Sequence, residues 1–333
     1  MSGTETTETT NLTLVQAVRD ALHDEMARDD RVVVLGEDVG VNDGVFRATE
    51  GLYDEYGAER VIDTPLAESA IAGTAVGMAA FGLRPVAEIQ FMGFIYLAFD
   101  QIVSHAARLR TRSQSSFNVP LVVRAPYGGG VHAPEHHSES TEAMFAHMPG
   151  LKVVIPSTPY DTKGLLTASI RDPDPVIFLE PKSRYRASRE AVPTDSYTVP
   201  LGEAAVRREG TDVTVFAWGG MVAPTLEAAE NLAEEGIDCE VVDLRTISPM
   251  DVDTIVSSFE KTGRAAVVHE APYTAGMAAE ITATIQEESL LLQEAPIERI
   301  TGWDTHYPLY ASEDFYRPGV TRIEHGIRNA AGF

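Results

Sequence analysis

The chain has 333 residues, 44% of them apolar, and a single cysteine, which is enough for two domains with a sizeable core. Its 26 basic and 50 acidic side chains give a net charge of −24, a surface that stays soluble and disfavours nucleic acid. Lone Cys239 excludes an internal disulfide and an iron–sulfur cluster. With no apolar run of spanning length and no basic, hydrophobic export signal, no membrane association is expected and the cytoplasm is the expected location.

In chain order, the first eleven residues are polar and expected to fray. Thr13 is placed to cap a helix carrying Leu14, Val18, Ala21 and Leu22 at helical spacing. Short apolar strands are expected at residues 32–35, 61–62 and 84–89, the first two ending in polar loops. Residues 69–81 are mostly alanine and glycine, small enough for a helix to approach a sheet or a neighbouring subunit closely. Residues 94–110 predict one helix, with Leu97, Ile102, Val103 and Ala106 inward. Strands follow at 121–124, 153–155 and 176–179, with a helix over 160–170. Residues 181–200 have no period and read as a linker. A second pattern then has strands at 213–216, 240–242 and 265–268, helices at 222–235, 251–259 and 277–286, and a last helix over 319–329. Cys239 falls within a strand, as a buried and inert thiol. Alternating short strands and helices predict an α/β fold of two domains, residues 1–190 and 191–333. Each is a mostly parallel sheet with helices on both faces.

Two polar clusters carry chemistry. In Asp63-Thr64-Pro65-Leu66-Ala67-Glu68, Glu68 falls near a helix amino terminus. It is either a capping carboxylate or one held in a cleft to share a proton. The run from Gly128 to Glu139 holds three glycines and the adjacent pair His136-His137. It offers a sharp backbone path and proton-transfer groups near neutral pH. Its rivals are a plain exposed loop and a metal site built from His132, His136 and Glu139, whose spacing matches no zinc pattern. There is no GxxxxGK[ST] run, no GxGxxG after a strand and no GxSxG elbow. A phosphorylated cofactor would therefore need another chain to hold its phosphates.

At these clusters the chain resembles the beta subunits of thiamine diphosphate-dependent 2-oxo acid dehydrogenases of the pyruvate and branched-chain type. The resemblance runs from about residue 12 to the tail. Its markers are Gly36-Glu37-Asp38-Val39-Gly40, the run from Asp63 to Glu68, Gly82-Leu83-Arg84-Pro85, Glu88-Ile89-Gln90-Phe91 and His137-Ser138. They continue with Pro149-Gly150-Leu151-Lys152-Val153-Val154, the run from Ile170 to Val176, and the run from Asp243 to Met250. Their order and spacing are more specific than any one of them. The acidic excess, with lysine only at 152, 163, 182 and 261, also resembles proteins of salt-loving organisms.

The resemblance implies a transketolase-like pyrimidine-binding domain followed by a transketolase carboxyl-terminal domain. Glu68 would share a proton with the aminopyrimidine ring of thiamine diphosphate. Phe94 would stack on that ring, Leu66 and Gln90 would line its pocket, and Glu37 would belong to the same cofactor site. His137 would face the reacting centre. The diphosphate and Mg²⁺ would bind mainly to an alpha subunit, in an α2β2 heterotetramer, and a structural K⁺ would sit near Leu121, Ser169, Asp172 and Asp174. The acyl group of a 2-oxo acid would pass to lipoyl-lysine on an acyltransferase core. The alternatives are a detached carboxyl-terminal half of a transketolase-like or deoxyxylulose phosphate synthase-like enzyme, acting on sugar phosphates, and a non-catalytic scaffold that retained the fold.

Overall fold

A computed structural model of the chain describes residues 8–333. Its strands are β1 (Thr9–Leu12), β2 (Val32–Gly36), β3 (Val61–Asp63), β4 (Arg84–Glu88), β5 (Val122–Tyr127), β6 (Lys152–Val154) and β7 (Val176–Pro181). They continue with β8 (Glu190–Pro193), β9 (Ala205–Arg208), β10 (Val213–Ala217), β11 (Cys239–Asp243), β12 (Thr246–Ser248), β13 (Ala265–Pro272) and β14 (Glu298–Gly302). A seven-stranded sheet has the order β12-β6-β7-β5-β4-β2-β3, and a five-stranded sheet the order β14-β13-β10-β11-β9. Only β12 and β9 run antiparallel to their neighbours in these two sheets.

Successive side chains of a strand point to opposite faces, and both faces here are apolar. Val32, Val34, Val86, Val122, Val176 and Phe178 join one core with the helices Leu14–Arg28 and Pro159–Arg171. Leu35, Ala87, Val123, Ile177 and Leu179 join another, which also takes Phe216, Val242 and Val267 from the second sheet. That shared cluster makes the packing between the two α/β units part of the hydrophobic core. The outer face of the second sheet closes over Val215, Val241 and Val268, with Ile323 and Ile327 of the last helix. Among the described residues, no helix is long and apolar enough to cross a membrane.

Local chemistry explains several boundaries. Thr13 caps the first helix and Gln16 closes a capping box with it. Thr158 caps the helix that opens at Pro159, its hydroxyl accepting from Asp161 N at 3.1 Å. Three expectations need correction. Residues 9–12 do not fray, because β1 pairs with β8; residues 1–7 lie outside the described residues. The linker of 181–200 therefore contains a strand. The predicted helix of 94–110 is instead a 3₁₀ turn (Met92–Ala98), a π-helical turn (Gln101–Ala106) and a short α-helix (Ala107–Arg112); Ile102 and Ala106 are buried as predicted, but Leu97, predicted inward, is exposed. Cys239 is buried and unpaired, and burial pushes its thiol up to about 11, which leaves it inert.

One polar group sits inside the seven-stranded sheet. Arg124 on β5 donates to Glu180 on β7 at 2.6 and 2.8 Å and also to Glu88 on β4, all three side chains being buried. Tyr185 donates to Glu180 at 2.5 Å. Burial opposes the charge on Arg124, but Glu180 and Glu88 hold its pKa above the ordinary value. The Arg124→Met substitution is expected to destabilise the fold by about 3–5 kcal/mol, because two carboxylates lose their counter-ion inside the sheet. Chemical denaturation of the purified chain measures this; a loss below about 1 kcal/mol would mean that the carboxylates find another partner.

Candidate active site

In a parallel sheet, ligand sites form beyond the carboxyl ends of the strands. Glu37 follows β2, and Leu66 and Glu68 follow β3. Gln90, Phe91 and Phe94 follow β4, the glycine–histidine run follows β5, and Lys182 follows β7. The topology thus gathers residues scattered over more than a hundred positions at one edge of one sheet.

Glu68 opens the helix Glu68–Ala80, one position after the cap residue Ala67. It is 5% exposed, and its Oε2 is buried without a hydrogen-bond partner among the described residues. A carboxylate held this way in a protein interior is costly unless a ligand or proton meets it. Asp63 shapes the neighbouring loop, accepting from Gly40 N at 2.6 Å and Val41 N at 3.0 Å. That loop carries Glu37, whose carboxyl is held above its ordinary pKa by burial and then by the charges of Asp38 and Glu68. Leu66 is exposed, and Gln90 is half-buried.

Phe91, Phe94 and His137 form one aromatic cluster. The His137 ring lies 4.4 Å from the Phe91 centroid and 5.2 Å from that of Phe94, and the two phenylalanines are 5.7 Å apart. His137 Nδ1 meets the Glu135 carbonyl at 2.7 Å, which leaves Nε2 free of the loop's own backbone. The segment is not extended: His136 takes a left-handed φ of 64°. A turn, rather than strand alternation, separates the exposed His136 from the half-buried His137. Gly93 is required beneath it, since a Cβ there would strike the His136 carbonyl.

The glycine run faces the second domain. Gly129 N donates to Glu270 Oε2 at 2.8 Å, Gly130 N donates to Glu313, and His132 N donates to Glu313 Oε2 at 3.1 Å. A side chain at Gly129 would collide with the Tyr307 hydroxyl. These backbone donors, which could have cradled a phosphate, are spent on the chain's own carboxylates. His132 meets Asp314 at 3.2 Å, and among the described residues no three His, Cys, Asp or Glu side chains are grouped to hold a metal.

At the corner named for potassium, Lys152 donates to Asp172 at 2.5 Å and Arg110 to Asp174 at 2.5 Å. Ser169 Oγ donates to the Leu165 carbonyl at 2.7 Å, and the Leu121 carbonyl accepts from Val176 N at 2.9 Å. Arg84 reaches the carbonyls of Ile170 and Asp172 at 2.7 and 3.3 Å.

Residues 10–188 match the family described as transketolase, pyrimidine binding domain, and residues 202–323 match transketolase, C-terminal domain. Over 322 residues the chain is 53% identical to the pyruvate dehydrogenase E1 component subunit beta of Bacillus subtilis, covering 97% of this chain and 99% of that one. It is 52% identical over 312 residues to the protein of the same name from Staphylococcus epidermidis, covering 94% and 96%. A solved chain described as a split gene transketolase, inactive beta4 tetramer, superimposes with a TM-score of 0.80 over 97% of this chain and 99% of that one. The two are 23% identical, a likeness of fold.

Proposed function

The chain belongs to the family of pyruvate dehydrogenase E1 beta subunits, and from that premise we propose that it forms half of a thiamine diphosphate site for oxidative decarboxylation of pyruvate. In this reading the other half comes from an alpha subunit in a cytoplasmic α2β2 heterotetramer. The acetyl group passes to lipoyl-lysine of an acyltransferase core. The domain division at residue 190 and the acidic surface as an adaptation to salt belong to the same proposal, the latter on composition alone.

One observation carries it: the buried Oε2 of Glu68, unpartnered among the described residues, beside Glu37 and at the start of the helix that packs on the turn carrying Phe94. These residues fit an aminopyrimidine, which offers a ring nitrogen to a carboxyl and two flat faces to aromatic side chains. When bound, the cofactor supplies a nucleophilic carbon and a sink for the electrons left as carbon dioxide departs. Glu68 holds and shares the proton at the ring nitrogen. Phe94, with Leu66 and Gln90, shapes the pocket and excludes water. His137 hydrogen-bonds the oxygens of the substrate and moves a proton during acyl transfer. Exposed Leu66 and Phe81, flanking the helix that starts at Glu68, suit coverage by a partner. The sugar-phosphate alternative has in its favour a likeness of fold to a split gene transketolase at 23% identity.

The purified chain is expected to decarboxylate no 2-oxo acid, since its glycine-loop amides are committed to Glu270 and Glu313. Co-expression with a matching alpha subunit should restore turnover, with pyruvate preferred in a panel of 2-oxo acids. Robust thiamine-dependent turnover by the chain alone would refute the shared site.

A further inference from the structure

Lys182 is one of only four lysines in the chain. It follows β7 in the short turn Lys182–Arg184 and is buried. Its ammonium donates to the backbone carbonyl of His137 and lies 5.4 Å from the centroid of Phe91. Phe91 in turn packs on the His137 ring. One cation therefore touches both the loop that carries the histidine and the aromatic face on which that histidine rests.

We infer that Lys182 is a positioning residue: its charged ammonium clamps the His137 loop onto Phe91 and so holds the imidazole at the reacting centre. The inference rests on the proposed role of His137 but makes a separate claim about what holds the loop. The ordinary alternative is an interface lysine that balances nearby carboxylates. The geometry argues against it, because the direct hydrogen bond goes to the His137 carbonyl, and Glu270 and Glu313 already accept from the glycine-loop amides. A carbonyl and a ring face both attract a cation, whereas a neutral amine holds the aromatic face far less well.

The groups facing Lys182 are Glu139 from the loop, Glu270 from β13 and Glu313 from the helix Glu313–Tyr316. Arg317 reaches the adjacent Ser183 hydroxyl at 3.2 Å. Burial lowers the lysine to about 8, against the raising pull of those three carboxylates. The clamp is therefore charged below about pH 8 and is released as the pH rises through that value.

The test uses the α2β2 enzyme with Lys182→Met, Lys182→Arg and His137→Ala. In Lys182→Met, hydrogen exchange across residues 131–139 should quicken by on the order of tenfold, and kcat should fall on the order of 100-fold. Lys182→Arg should restore most of both. Its alkaline limb should move upward, because guanidinium keeps its charge. Unchanged loop exchange in Lys182→Met, or an Arg variant that leaves the alkaline limb of wild type in place, overturns the clamp. Wild-type turnover in His137→Ala would remove the proposed role of the histidine, and quickened exchange in Lys182→Met would still support the clamp. The two failures are thus distinguishable.

Discussion

In the reconstituted enzyme, Glu68→Gln is expected to lower kcat on the order of 1000-fold while leaving the fold and assembly intact. Glutamine matches glutamate in shape, so the start of the helix Glu68–Ala80 and the packing around it are preserved. What changes is the proton. A carboxyl alternates between holding and releasing it, whereas an amide does neither near neutral pH. Among the described residues the buried Oε2 has no hydrogen-bond partner, so none of theirs is lost and the cost falls on ligand chemistry. Three measurements check this: exchange of the cofactor's thiazolium carbon proton, steady-state kcat, and the thermal midpoint. A wild-type exchange rate would refute the assignment. A collapsed midpoint would instead mark Glu68 as structural.

The second large effect is expected at His137. His137→Ala should cost on the order of 100-fold in acyl transfer to the lipoyl domain. His136→Ala should stay within about twofold in activity, because its ring is exposed, with a small stability cost from placing alanine in the left-handed backbone there. The contrast comes from the turn at His136, whose left-handed backbone turns one ring out while the other packs on Phe91 and Phe94. Because the role proposed for Glu68 at the pyrimidine is untouched, cofactor binding should survive in both variants. Decarboxylation read with an artificial electron acceptor should fall less than lipoyl acylation in His137→Ala. If His136→Ala is crippled and His137→Ala matches wild type in both assays, the roles assigned to this pair are wrong.

The scarcity of lysine was itself a signal for Lys182. Where arginine supplies almost all the positive charge, each remaining lysine is worth examining. Lys152 meets Asp172, Lys163 is buried against Asp20 and Asp24, and Lys261 bridges Glu209 and Glu240. None of these three touches a backbone carbonyl of the candidate site. The sequence marked the lysines as few, but only the folded chain distinguishes Lys182 from the others.

The sequence by itself determined the alternation of parallel strands and helices, because strands buried on both faces are short unbroken apolar runs. It also determined the helix start at Thr13, since a cap acts on amides two or three positions away. The motif around Glu68 was legible for the same reason: its residues are neighbours in the chain. The tertiary structure decided the contacts that no local period encodes. Residues 246–248 leave the second unit and pair with β6 of the first sheet. Glu270 and Glu313 reach back 141 and 183 positions to fill the glycine loop. Lys182 finds a carbonyl 45 positions earlier. Propensity and periodicity act within a few residues of each position, whereas these contacts arise where two sheets meet over one core, and their partners are set by packing.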